Sequence, residues 1–326
     1  MSRKISRSFI NGRTGAGTAG QGLKVEWDST NDGELHWKDV DESSLEVTPV
    51  WYGDRGLIAS GRSNNDPGAT PDTDTINYIS ISTTGNALDF GNLTEKRNRS
   101  GACSSGSRGV FGGSSNTIDY VTISTTSNAT AFGNRTVSGQ AVQAVCDITR
   151  GVFSAAGYTN RTMDYITMDT TGNATDFGDM TRDPNNHGSC NDSTRGVLGG
   201  GEINTGMEYF TIQTTSNAVS FGNLTFQQEG TGGTSDTTRG IFGGGHTSVT
   251  LEYITIQTTS NSTDFGDLTA GSWRGMGGCN NSTRGVFTGG QYLSHIDYIT
   301  IQTTGNATDF GDLLYTLAFN NACSGD

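Results

Sequence analysis

The chain has 326 residues, with 48 glycines, 4 prolines and 9% aromatics: enough length for a sizeable core, but none of the Leu-, Ala-, Glu- and Lys-rich runs that long helices need. A formal net charge of −13 argues against nucleic acid as a partner, because neutralising phosphates requires a basic face. Residues 1–20 contain no long apolar run, so neither a secretory signal nor a membrane span is expected, and synthesis in a cytoplasm is.

Residues 1–50 form the first expected unit. Up to Lys24 its charges are all basic, at Arg3, Lys4, Arg7, Arg13 and Lys24; acidic residues dominate from Glu26 to Glu46. "GAGTAG" at 15–20 matches a dinucleotide fingerprint, but no convincing strand precedes it and no helix follows, so it is read as an extended arm. "KVEWDSTNDGELHWKDV" predicts a hairpin turning at Asn31-Asp32-Gly33, with Trp27 and Trp37 on its arms. Arg3, Lys4, Arg7, Arg13, Trp27 and Trp37 are the expected assembly anchor.

From residue 51 onward one text recurs. Arg-Gly pairs begin at Arg55, Arg108, Arg150, Arg195, Arg239 and Arg284. A tyrosine follows each, at Tyr78, Tyr120, Tyr165, Tyr209, Tyr253 and Tyr298, and a phenylalanine lies twelve residues beyond each tyrosine. The next arginine comes 18 residues after the phenylalanine, or 19 between Phe265 and Arg284. Eighteen beyond Phe310 would be 328, just past the chain end, and the arginine owed there is Arg55. The two ends of 51–326 are therefore expected to complete one shared unit.

Each period of about 44 residues divides into four short strands, for example "WRGMGGCNN", "TRGVFTGG", "HIDYITIQT" and "ATDFGD". Four short strands per 40–50 residues predict an all-β, six-bladed β-propeller closed by the C-terminal strand. Glycine pairs such as Gly112-Gly113 and Gly289-Gly290 end the second strand, and the Tyr and Phe follow. In these features 51–326 resembles kelch-type propellers, with Phe where that family usually has Trp.

Several motifs take a structural reading. "DFG" occurs four times without a kinase "HRD", so its Phe is expected to pack between blades and its Gly to allow the turn out of the last strand. Cys103, Cys146, Cys190, Cys279 and Cys323 hold equivalent places, with Thr234 in the sixth, and are expected as small core residues rather than disulfides. Each Arg-Gly arginine is expected to pair with the acidic residue before the blade tyrosine: Asp119, Asp164, Glu208, Glu252 or Asp297. The alternative is an arginine ring open to an anionic ligand. No catalytic constellation, cofactor or metal spacing rises above the repeat.

With strands running alternately up and down, the "STRG" and "TTSN" turns share one nearly constant face. The second-to-third and blade-to-blade loops share the other, and they vary. Binding residues concentrate on variable loops held by a rigid frame, so this face is the expected ligand-binding surface. Its candidates are Arg62, Asp66, Arg97, Tyr158, Arg161, His187, Trp273, Arg274, Tyr292 and His295.

"YITIQTTGNATDFGDLT"-type repeats resemble those of virion proteins from tailed phages of marine cyanobacteria and other aquatic bacteria. The resemblance implies a non-enzymatic virion component, present in multiple copies. It would be anchored to other virion proteins by residues 1–50 and would display a propeller, as part of a tail fibre, spike or appendage, to a host-surface glycan or protein. A head or neck decoration protein and a carbohydrate-active propeller enzyme are the alternatives.

Overall fold

The computed structural model describes residues 23–27, 35–39, 50–67, 71–154, 157, 159–183, 186–201, 204–227, 229–245, 248–272 and 275–325. The chain divides into two compact units, Met1–Thr48 and Pro49–Asp326. In the first, strands Leu23–Trp27 and Leu35–Asp39 pair antiparallel, with Val25 opposite Trp37 and Trp27 opposite Leu35. This is the expected hairpin; its turn at 31–33 lies outside the described residues. Among the described residues no helix is long and apolar enough to cross a membrane.

The second unit is six four-stranded antiparallel sheets in a ring. In blade 2 the strands, from the inside outward, are Gly101–Ser104, Arg108–Gly112, Thr117–Thr122 and Thr130–Asn134. Blades 3 to 6 repeat this order within 143–179, 188–223, 232–272 and 277–317. Blade 1 takes its inner strand, Asn321–Gly325, from the chain end and pairs it with Arg55–Ala59, placing Cys323 opposite Leu57. Its remaining strands are Thr73–Ser80 and Leu88–Arg97. The ring is closed by backbone pairing, as the repeat phase predicts.

The core lies between blades. Leu57, Ile76, Phe90 and Leu93 of blade 1 pack on Phe111, Val121 and Ile123 of blade 2, all at most 4% exposed. Each such fully buried Leu, Ile or Phe contributes on the order of 1.5–3 kcal/mol. Within each blade the tyrosine meets the phenylalanine edge-on, at 6.0 Å between centroids for Tyr120 and Phe132.

The constant face is a clamp between neighbours. A register shift leaves Phe132 unpaired between the Ile118–Gly133 and Asp119–Ala131 pairs, a β-bulge repeated in every blade. Against Gly133 lies the turn of blade 3: a Cβ there would stand 2.0 Å from the Gly172 carbonyl oxygen. Asn173 of that turn accepts from the Asn134 N–H at 3.0 Å, and Ala174 N–H returns a bond to the Asn134 carbonyl at 2.8 Å. The same asparagine bond recurs at Asn128, Asn217, Asn261, Asn306 and Asn86. "TTSN" and "FG" are thus two halves of one joint.

The Arg-Gly arginines do not pair with the acidic residue before the tyrosine. Arg108 lies opposite Thr122, and Asp119 is three residues from Thr122, which puts the two side chains on opposite faces of the sheet. Arg108 instead stacks on Tyr120, its guanidinium carbon 4.5 Å from the ring centroid. It donates to the Met168 carbonyl of blade 3 at 2.7 Å. The equivalent bonds run from Arg55 to Ile123, Arg150 to Ile212, Arg195 to Ile256, Arg239 to Ile301 and Arg284 to Ile81. They encircle the disc, so the arginines are scaffold rather than an open anion site.

The acidic residues face the preceding blade. Asp119 accepts from Thr94 N–H and hydroxyl, Asp164 from Thr136, Glu208 from Thr181, Glu252 from Thr225 and Asp297 from Thr269. Among the described residues, an arginine reaches the same carboxylate in three of these joints: Arg97 on Asp119 at 2.6 Å, Arg135 on Asp164 at 3.0 Å and Arg182 on Glu208 at 3.7 Å.

Candidate binding face and channel

The five cysteines are buried with free thiols and belong to the inner strands around the ring axis. Their small size has a direct use: a Cβ on Gly240 would come within 2.3 Å of Cys190 Sγ, so thiol and glycine interlock across the blade joint. Burial pushes the Cys190, Cys279 and Cys323 thiols up, to about 12 at Cys279; a hydrogen bond with Cys146 is the first cause at Cys103. Held as thiols, these groups lack thiolate reactivity.

The remaining channel is narrow, a cavity of about 50 Å³ lined by the inner strands and by Trp51. Its polar side chains staple neighbouring blades. Ser235 Oγ donates to the Asn191 carbonyl at 2.8 Å and accepts from the Asn191 N–H, and Asn191 Nδ2 donates to the Cys146 carbonyl at 2.7 Å. Gln213, Gln257 and Gln302 of the "IQTT" text add bonds on the constant face, to Asp147, Asp192 and Asp236 of the preceding blade. The sequence reading missed these; the recurrence of an Asp or Asn three residues before Arg-Gly was the available signal.

On the variable face, each blade-to-blade link enters the inner strand through a left-handed residue: Arg99, Ala141, Asn186, Gly230, Gly275 and Phe319, with φ from 51° to 85°. Two of these are large and meet at the chain closure, where the Arg99 guanidinium carbon stands 4.0 Å above the Phe319 ring. With Arg62, Gln291, Tyr292 and Ala318 they line a pocket of about 270 Å³. Arg62 is fixed there by backbone bonds in both directions with Ala318, at 2.7 and 2.9 Å, and its guanidinium meets Asp72 at 3.2 Å.

Gln291 and Tyr292 sit at the centre of a hairpin turn closed by Leu293 N–H on the Gly290 carbonyl at 2.9 Å, both with positive φ (34° and 63°). Such turns favour Asn-Gly; two side-chain-bearing residues here cost roughly 1–2 kcal/mol each. The strain leaves Tyr292 37% exposed at the pocket rim, and local strain of this kind collects at binding sites.

The other expected site residues divide. Asp66 accepts from the Thr73 and Thr75 hydroxyls and braces its own loop. Arg161 is exposed and paired with Asp183 at 2.8 Å. His295 is partly exposed, with Nε2 3.2 Å from the Thr269 hydroxyl. Arg97 and His187 are buried and belong to the core, which corrects their assignment to the binding surface. Arg97 turns into the joint between blades 1 and 2, donating to the Thr117 carbonyl at 3.1 Å as well as to Asp119. Tyr158, Trp273 and Arg274 lie outside the described residues, as do Arg3, Lys4, Arg7 and Arg13. Of the candidates, Arg62 and Tyr292 share the pocket.

His187 Nε2 is 2.8 Å from the Ser154 hydroxyl, and burial, then the Arg182 charge, push its pKa from 6.5 down to about 3. Below about 6.5 the unfolded chain is protonated at this residue and the folded ring is not, so stability falls as pH drops from 6.5 towards 3. Going from pH 7 to 5 should cost about 2 kcal/mol through this group, at 1.36 kcal/mol per pH unit. Denaturant titrations at both pH values should show that loss, and His187→Gln should flatten it; an equal slope in the variant would refute the assignment.

Compared with known proteins, the chain matches no family model and no curated relative.

Proposed function

We propose that this is a non-enzymatic virion structural protein of a tailed phage. Residues 1–50 dock it to other virion proteins, and the propeller presents its variable face to a host-surface glycan or protein, as part of a tail fibre, spike or appendage. The division of labour between the faces carries the reading: one is spent on clamps repeated around the ring, the other bears divergent loops and the strained Gln291-Tyr292 turn beside Arg62 and Arg99. A channel lined by mutually bonded Ser, Asn and Thr and by buried thiols supports a scaffold role. Aromatic rims beside guanidinium groups suit the stacking and hydroxyl bonding that sugars require.

The isolated 50–326 ring should bind a subset of surface glycans on an array. Gln291→Asn with Tyr292→Gly should abolish that binding while raising stability by about 1–3 kcal/mol, since the turn strain is relieved. No binding by the wild-type ring, or unchanged binding by the variant, would refute the pocket. A ring whose only partners are virion proteins would establish the decoration reading instead.

A further inference from the structure

The six blade joints are internal controls for one another, and they differ in charge. In joints 1–2, 2–3 and 3–4 the buried carboxylates of Asp119, Asp164 and Glu208 each meet an arginine. Joint 6–1 carries Asn77, a neutral group that accepts from the Leu314 N–H. In joint 5–6 the carboxylate is Asp297, 5% exposed, and Ala270 stands directly after Thr269 where Arg182 follows Thr181. A second carboxylate lies directly across the sheet, since Asp297 and Asp309 are register partners. Like charges placed so are unfavourable; blade 3 has the same arrangement in Asp164 and Asp176, and there Arg135 offsets it.

His295 completes this group. The positions equivalent to it carry Thr75, Thr117, Thr162, Gly206 and Thr250, so the imidazole is particular to blade 6. Its Nε2 lies 4.0 Å from Asp309 Oδ1, and the ligand atoms of His295, Asp297 and Asp309 all fall within 4.8 Å of one another. We propose that these three residues bind a divalent transition-metal ion, such as Zn²⁺, which supplies in joint 5–6 the positive charge that arginine supplies in three other joints.

One nitrogen and two carboxylate oxygens form a donor set for such ions. Donors about 2.0–2.2 Å from a tetrahedral ion stand roughly 3.4 Å apart. The needed contraction falls on Asp309, whose side chain is 68% exposed and free to turn. Asp297 is held in place by Thr269, which donates from its N–H at 2.9 Å and from its hydroxyl at 2.6 Å, the outer-shell support that orients a metal-binding carboxylate. The His295 and Asp309 side chains, 40% and 68% exposed, leave the group open to solvent. The site is independent of the glycan reading.

Zn²⁺ alone, titrated calorimetrically into the full chain stripped by chelator, should bind at one equivalent and raise the melting temperature. His295→Thr installs the residue that four other blades carry and should fold normally while losing at least tenfold in affinity. Ala270→Arg should also fold and lose the ion, because it delivers the fixed cation found in joint 3–4. Absence of stoichiometric uptake by the wild type would overturn the proposal. So would wild-type uptake by either variant, which would place the ion elsewhere.

Discussion

Asp164→Ala should destabilise the ring by about 3–5 kcal/mol, the usual cost of stranding one member of a buried ion pair. At 2–4 °C per kcal/mol this lowers the melting temperature by roughly 6–20 °C. Asp164 and Arg135 are both 0% exposed at the side chain, with 3.0 Å between Nε and Oδ1. Burial pushes the Arg135 guanidinium below its ordinary value, and the Asp164 charge only partly restores it. Desolvation therefore outweighs attraction, so the intact pair adds little net stability while its rupture is expensive.

The partners should also be unequal. Arg135→Met leaves Asp164 with the Thr136 N–H at 2.8 Å and hydroxyl at 2.9 Å, and should cost less than Asp164→Ala. Arg135→Met with Asp164→Leu should recover part of the loss, but the Thr136 N–H loses its acceptor, at about 1–3 kcal/mol. The control is Asp183→Ala, whose pair with Arg161 is 46% and 55% exposed and should contribute at most about 1 kcal/mol. Denaturant unfolding of the four variants decides it. If Asp164→Ala behaves like Asp183→Ala, the joint is not held as described.

What the sequence made legible was whatever repeats along the chain. The constant Tyr-to-Phe spacing gave blade number and strand order, and the arginine missing after Phe310 gave the closure at Asn321–Gly325. Contacts across the joints were not legible, because a repeat written once per blade does not say whether a partner lies in the same sheet or the next. Adjacent antiparallel strands suggest a pair between Arg108 and Asp119; strand parity puts them on opposite faces, and each bonds a different neighbour. Arg97 and His187 border variable loops and so counted as surface. The left-handed residue Asn186 turns the chain inward one position before His187, and Arg97 ends an outer strand whose side chain reaches Asp119. In the candidate pocket, residues 62, 99, 291–292 and 318–319 are distant in the chain and are brought together only by the closing of the ring.

Removing that closure should have the largest effect. A chain ending at Asn320 loses the inner strand of blade 1, with register pairs from Asn321–Ala59 to Gly325–Arg55. It also loses the bonds from Ser324 Oγ to the Asn280 carbonyl and from Asn321 Nδ2 to Ser60, which join this strand to blade 6 and to the second strand of blade 1. At about 0.5–1.5 kcal/mol per hydrogen bond, and with the buried Cys323 side chain withdrawn from Gly109, the loss is on the order of 5 kcal/mol or more. That is comparable with the entire 5–15 kcal/mol of a typical domain.

The wound is also worse than a frayed terminus, since Arg55–Ala59 becomes an unpaired edge at the ring axis with its backbone groups exposed. The truncated chain should therefore show no cooperative thermal transition and should aggregate, whereas removal of residues 1–49 should leave a sharp one. Circular dichroism melts of both truncations make the comparison. A cooperative transition within a few degrees of wild type after loss of 321–326 would mean that pairing at the chain end does not hold the ring shut.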